Sequence, residues 1–134
     1  MPRDKVDVAK RVVDAFNRRD VEGFFAELAT RDVELYAGTV RALGGDVYRG
    51  REGVERFRRD RSESWEEIQN VAEEFRDLGD SVLVLGTVRG RGRDSGAPVE
   101  VAGATILDFR GDRIWRIRAY FDRAEGLRAA GLSE

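Results

Sequence analysis

The chain has 134 residues, and its 24 basic and 26 acidic residues nearly cancel to a net charge of −2. That length suits one domain with one core, and the balanced charge argues against general attraction to nucleic acid or to an anionic membrane. Histidine and cysteine are both absent, which excludes a cysteine nucleophile, a Ser-His-Asp triad, thiolate or imidazole zinc ligation, and a histidine proton shuttle. Acid–base chemistry therefore falls to Asp, Glu, Tyr, Lys or Arg, and a carboxylate or phenol does such work near neutral pH only where burial shifts its pKa. Only hard carboxylate ligands remain for a metal, and none cluster at ligand spacing, so neither a metal site nor a cofactor is expected. No apolar run approaches a membrane span, and Met1 to Asp20 is charged throughout. Neither a membrane partner nor a signal peptide is read, and a cytoplasmic location is expected.

Val6, Ala9, Val12, Val13 and Phe16 recur at helical spacing, which predicts a first helix from about Asp4 to Arg18. Asn17-Arg-Arg-Asp20 interrupts it, and Asp20 is the N-cap of a second helix with Val21, Phe24, Phe25 and Leu28 on its apolar face. Val33 to Ala37 reads as a short strand and Gly38 to Gly50 as a loop. A third helix begins near Arg51 and carries Val54, Phe57, Trp65 and Ile68 toward the core, with Arg56, Arg58, Arg59 and Arg61 read as solvated surface. The period then switches to two. Strands are predicted at Val71 to Arg76, Ser81 to Arg93, Val99 to Phe109 and Ile114 to Asp122, with hairpin chemistry at Asp94-Ser95-Gly96. A helical tail runs from Arg123 to Ala130. Helices followed by an antiparallel meander make a single α+β domain over residues 1–134.

Asn17-Arg-Arg-Asp20, Val47-Tyr-Arg-Gly-Arg-Glu-Gly-Val54, Arg118-Ala-Tyr-Phe-Asp122 and the tail from Ala124 to Leu132 resemble the nuclear transport factor 2-like superfamily, and within it the SnoaL-like, polyketide cyclase-like branch. The resemblance implies a cone: three N-terminal helices packed on a curved, mostly antiparallel sheet around an apolar pocket, usually in a homodimer formed through the outer face of the sheet. It implies much less about function, because the superfamily holds isomerases, cyclases, epoxide hydrolases, dehydratases and non-catalytic binding proteins.

The catalysts familiar from that superfamily are missing. Where isomerases of the ketosteroid type place a tyrosine, a protonated acid and an Asp base, this chain has Val12, Thr105 and either Tyr36 or Leu35. Where epoxide hydrolases and SnoaL-type cyclases place an Asp in the last strand, it has Ala119. The Arg-x-Asp of the hydrolases meets only Thr87-Val88-Arg89-Gly90.

If Thr105 and Ala119 face inward, alternation turns Val101, Gly103, Leu107, Trp115, Ile117 and Phe121 inward as well. Val12, Phe16 and Phe24 are the expected contributions from the first two helices, and Phe57 and Trp65 close another wall. The first strand leaves two arrangements open. In one, Glu34 and Tyr36 enter the pocket as a base and its hydrogen-bond donor; in the other, Val33 and Leu35 enter it and the pocket has almost no acid–base group beyond Thr105. Arg116, Arg118 and Tyr120 fall on the outer face and read as dimer interface, Asp122 as a cap, and Arg89, Arg91 and Arg93 as a solvated edge. The expectation is a homodimer that binds a small hydrophobic or aromatic molecule, with cofactor-free proton transfer on a cyclic or polyketide-like substrate by Glu34 and Tyr36 if it is an enzyme. The rival is a non-catalytic dimeric protein-interaction module.

Overall fold

The computed structural model describes residues 3–37 and 47–132, so most of the predicted Gly38–Gly50 loop lies outside the described residues. Helix α1 (Lys5–Arg18) starts at Asp4, whose carboxylate accepts from the Val6 N–H at 2.8 Å. It buries Val8, Ala9, Val12 and Ala15. Arg19 then adopts a left-handed conformation at φ 59°, which closes the helix and brings Asp20 into place. Asp20 accepts from the Gly23 N–H at 2.9 Å and so caps α2 (Val21–Gly23), which runs on as a π-helical turn over Phe24–Leu28.

Strand β1 (Ala29–Tyr36) and the two-residue β2 (Tyr48–Arg49) precede α3 (Gly50–Ser64). Then follow β3 (Trp65–Asp77), β4 (Ser81–Gly92), β5 (Pro98–Arg110), β6 (Arg113–Tyr120) and α4 (Arg123–Ala129). The strands form one curved six-stranded sheet in the order β2-β1-β6-β5-β4-β3, antiparallel except for β1 with β6. Helix α1 packs on β3 and β4, and α3 on β1, β2 and β3. Helix α4 covers the other face, where Leu127 joins Leu83, Leu85, Ala104, Ile106 and Tyr120 in a second apolar cluster. Asp122 caps α4, accepting from the Ala124 N–H at 3.0 Å. A Cβ on Gly126 would stand 2.4 Å from the Ala104 Cβ, so only glycine lets α4 approach the sheet this closely.

Two predicted boundaries move for one reason. Helix α3 ends at Ser64, and Trp65 and Ile68, three residues apart, lie on β3. A bulge between Trp65 and Glu67 puts both side chains on one face of the strand, and that spacing imitates a helix. The strand that Val71 to Arg76 suggested therefore begins six residues earlier, at Trp65.

Inter-strand register sets the core. Val82, Leu107, Ile117, Leu35 and Tyr48 are successive partners across β4, β5, β6, β1 and β2, and all five are buried. On the outer face the buried Asp108 accepts from Ser81 Oγ at 2.6 Å, Arg116 Nε at 2.7 Å and Arg118 Nε at 3.0 Å. Burial pushes the Asp108 carboxyl up, but the Ser81 hydroxyl and the two guanidinium groups outweigh it and hold the pKa below its ordinary value. A folded-state pKa below the unfolded one contributes stability that is complete above the ordinary carboxylate range and is lost as pH falls through the lowered value. Asp108→Asn should lower unfolding free energy by about 2–3 kcal/mol at neutral pH. It should also flatten the acid limb of the stability profile, as read by urea denaturation between pH 7 and pH 3. An unchanged acid limb would show that Asp108 does not supply this term.

Candidate functional site

Beyond the filled rung of Leu107 and Ile117 the inward side chains shrink. The next rung is Val84, Thr105 and Ala119; the next pairs Gly86 with Gly103; then come Val88 with Val101 and Gly90 with Val99. A Cβ on Gly86 would stand 2.4 Å from the Val71 carbonyl oxygen and one on Gly103 2.8 Å from that of Tyr120, so this rung admits only glycine, and no side chain of it reaches toward α1 or α3. The result is a cavity of about 230 Å³. Its walls are these strands, Val12, Val13 and Phe16 of α1, Phe57 and Arg61 of α3, Trp65, Ile68, Asn70, Val71 and Ala72 of β3, and Leu35, Ala37 and Phe121. Phe16 and Phe57 meet edge to face with centroids 6.1 Å apart, which fixes the helix-side wall.

Polar residues in the lining are few: Thr105, Asn70 and Arg61, together with Thr87 and Tyr120, whose side chains turn to the other face, toward Glu73 and α4; no carboxylate lines it among the described residues. Asn70 is held at its backbone. Its carbonyl accepts from Asn17 Nδ2 at 2.9 Å and its N–H donates to Asn17 Oδ1 at 2.8 Å. That paired contact ties the end of α1 to β3, an edge strand of the sheet, and gives the Asn17-Arg-Arg-Asp20 motif a structural role.

Of the residues proposed to bind ligand, Val12, Phe16, Phe57, Trp65, Thr105 and Ala119 line this one cavity. Trp115 does not. Asp108 pairs with Arg116 and Phe109 with Ile114, so Trp115 is the extra residue of a bulge. Ile114 takes the inward place, and Trp115 lies outside with Arg116 4.6 Å and Arg110 5.2 Å from its ring.

Glu34 and Tyr36 are also outside. Leu35 and Ala37 line the cavity, so alternation turns Glu34 and Tyr36 to the opposite face. There the Tyr36 hydroxyl donates to Glu34 Oε1 at 3.1 Å and Arg49 Nη1 donates to Glu34 Oε2 at 2.6 Å. The expected base and donor do meet, but as a surface ion-pair cluster away from the cavity. Burying Val33 and Leu35 outweighs burying Glu34, as the transfer cost of a carboxylate requires.

Arg61 is the residue that the sequence reading missed. It lies on the face of α3 that carries Val54 and Phe57, at spacings of three and four, and that periodicity was the available signal. Its guanidinium sits 5.2 Å from the Phe57 ring centroid. Desolvation, helped by the charge of Arg19, lowers its pKa to about 10, so it remains a cation at neutral pH. No group of three or more acidic side chains able to hold a metal ion occurs among the described residues.

Solved structures share this architecture. An NTF2-like protein of unknown function from Burkholderia pseudomallei is 26% identical, with a TM-score of 0.77 over 92% of this chain and 95% of that one. TerC, co-crystallised with polyporic acid, is 22% identical, with a TM-score of 0.76 over 88% and 91%. IdmH, a proposed polyketide cyclase from Streptomyces antibioticus, is 19% identical, with a TM-score of 0.72 over 87% and 91%. No curated protein sequence matches significantly. The SnoaL-like domain model matches residues 9–117, and the chain belongs to that family.

Proposed function

We propose that this protein binds a small, largely hydrophobic or aromatic molecule in the cavity, as a homodimer joined through the outer face of the sheet. The observation that supports this most is the cavity itself: about 230 Å³ with a mostly apolar lining, along the Thr105–Ala119 and Gly86–Gly103 rungs. Val12, Phe16, Phe57, Trp65, Thr105 and Ala119 are the proposed contacts. TerC, co-crystallised with polyporic acid, and IdmH, a proposed polyketide cyclase, share this architecture, and an organic ligand in the cavity is in keeping with them. The cavity has a hydroxyl at Thr105 but no carboxylate among the described residues, so binding and orientation are better supported than proton abstraction by the protein.

The rival reading, a module that docks another protein, needs an exposed apolar patch. Among the described residues the exposed large apolar side chains are Val99 and Phe121, and both belong to the cavity wall. Their exposure fits a mouth.

Native mass spectrometry of the purified protein, followed by denaturation, tests the proposal. The expected result is a dimer that releases a stoichiometric small molecule. Ala119→Phe fills the cavity beside Thr105 and should reduce ligand retention by more than about tenfold, while the Tm moves by less than about 4 °C. Glu34→Gln, on the opposite face, should retain ligand as the wild type does. Equal retention in the wild type and Ala119→Phe would overturn the cavity as the binding site, and a monomer would overturn the outer-face contact.

A further inference from the structure

Arg61 also lines a second, smaller cleft of about 40 Å³ that shares Phe16 and Phe57 with the cavity and includes Arg19, Arg58, Asp20 and Ser62. It is thus the charged residue common to the apolar cavity and a basic cleft. The nearby carboxylates are engaged elsewhere. Asp20 accepts from the Gly23 N–H at 2.9 Å and stands 3.9 Å from Arg18, and Asp60 accepts from the Tyr48 hydroxyl at 2.7 Å. Neither Arg61 nor Arg19 nor Arg58 forms an ion pair among the described residues. A half-buried guanidinium beside another cation costs stability unless an anion meets it. The face of Phe57 compensates in part, as does the C-terminal end of α3, where Arg61 sits in the last turn. Neither partner supplies a full negative charge or accepts the in-plane N–H groups of the guanidinium, which are arranged for a planar two-oxygen acceptor.

We propose that Arg61 is the anion-binding group of the cavity, and that the ligand is an aromatic or polycyclic organic acid. Its hydrocarbon body occupies the space between α1 and the Gly86–Gly103 rung, and its carboxylate or ionised enol pairs with Arg61 beside Phe57. This assignment rests on the ligand-binding reading of the cavity and adds the charge and chemical class of the occupant. Arg19 and Arg58 raise the local positive potential without touching the buried body of the ligand, so they steer the acid and Arg61 holds it.

The test compares an isosteric pair of probes, 2-naphthoate and 2-naphthamide, by isothermal titration calorimetry at neutral pH. The wild type should bind the acid at least about tenfold more tightly than the amide. Arg61→Gln should reduce that preference to within about twofold, and Arg61→Lys should keep part of it. The Tm of Arg61→Gln should be equal to or above that of the wild type, because an uncompensated charge has been removed. Equal wild-type affinity for the two probes, or a preference that survives in Arg61→Gln, overturns the role of Arg61 and leaves the cavity as a neutral-ligand site. If the wild type binds neither probe, both this assignment and the ligand-binding reading fall. The comparison in the wild type alone decides the matter should the variants prove unstable.

Discussion

The structure depends on one geometric constraint. A six-stranded curved sheet with an apolar inner face presents more concave area than two helices can cover. Register decides where the surplus falls. The rung of Val82, Leu107, Ile117, Leu35 and Tyr48 is buried across five strands, from β4 to β2, and belongs to the core with α1 and α3. Moving along β4 and β5 toward their hairpin, the inward positions become Thr105 and Ala119, then Gly86 and Gly103. Side-chain volume falls while the curved sheet keeps the helices at a distance, and a void at that end is the outcome. Close packing is the rule for interiors, so a void of this size is informative about use.

The two faces of the sheet solve opposite problems. The inner face is mostly apolar and bears no carboxylate at the cavity among the described residues. The outer face carries charge, and each group there meets partners: Asp108 with Ser81, Arg116 and Arg118; Glu34 with Arg49 and Tyr36; Trp115 between Arg110 and Arg116. Alternation along β1 and β6 couples the two faces, because a residue that leaves one must join the other. Glu34 is excluded from the cavity by the same backbone geometry that admits Leu35. The bulge that ejects Trp115 brings in Ile114.

Much of this was legible in the sequence. Periodicities of 3.6 and 2 located α1, α4 and strands β4 to β6 to within a few residues, and Asp20 and Asp122 announced their caps. Alternation from Thr105 and Ala119 found most of the inner face of β5 and β6. What escaped is what alternation cannot express. Bulges change parity, so Trp65 and Ile68 imitated a helix and Trp115 imitated an inward residue. The face of a five-residue strand segment such as Val33 to Ala37 is set by tertiary burial, and alternating Val, Glu, Leu and Tyr leave it open until the sheet is assembled. Arg61 escaped because it was read with its charged neighbours Arg56, Arg58 and Arg59, although it shares the helical face of Phe57.

The features that cost stability lie close together. Opposed glycines in mid-strand offer no side chain to the inner face and lose more chain entropy on folding than other residues. The Arg61 guanidinium, partly desolvated, has no ion-pair partner among the described residues. Gly86, Gly103, Gly90 and Arg61 all border the same cavity, while the Leu107 rung and the Asp108 cluster lie on the other side of the Thr105–Ala119 level and hold the sheet together without it. A void and a bare cation arising independently would have no reason to adjoin. Each becomes favourable if one occupant supplies both the hydrocarbon that the glycine rung lacks and the negative charge that Arg61 lacks. An uncharged occupant would satisfy the first and leave the second exposed, and a small inorganic anion would do the reverse. The amphipathic acid proposed for the cavity is the chemical class that would answer both at once.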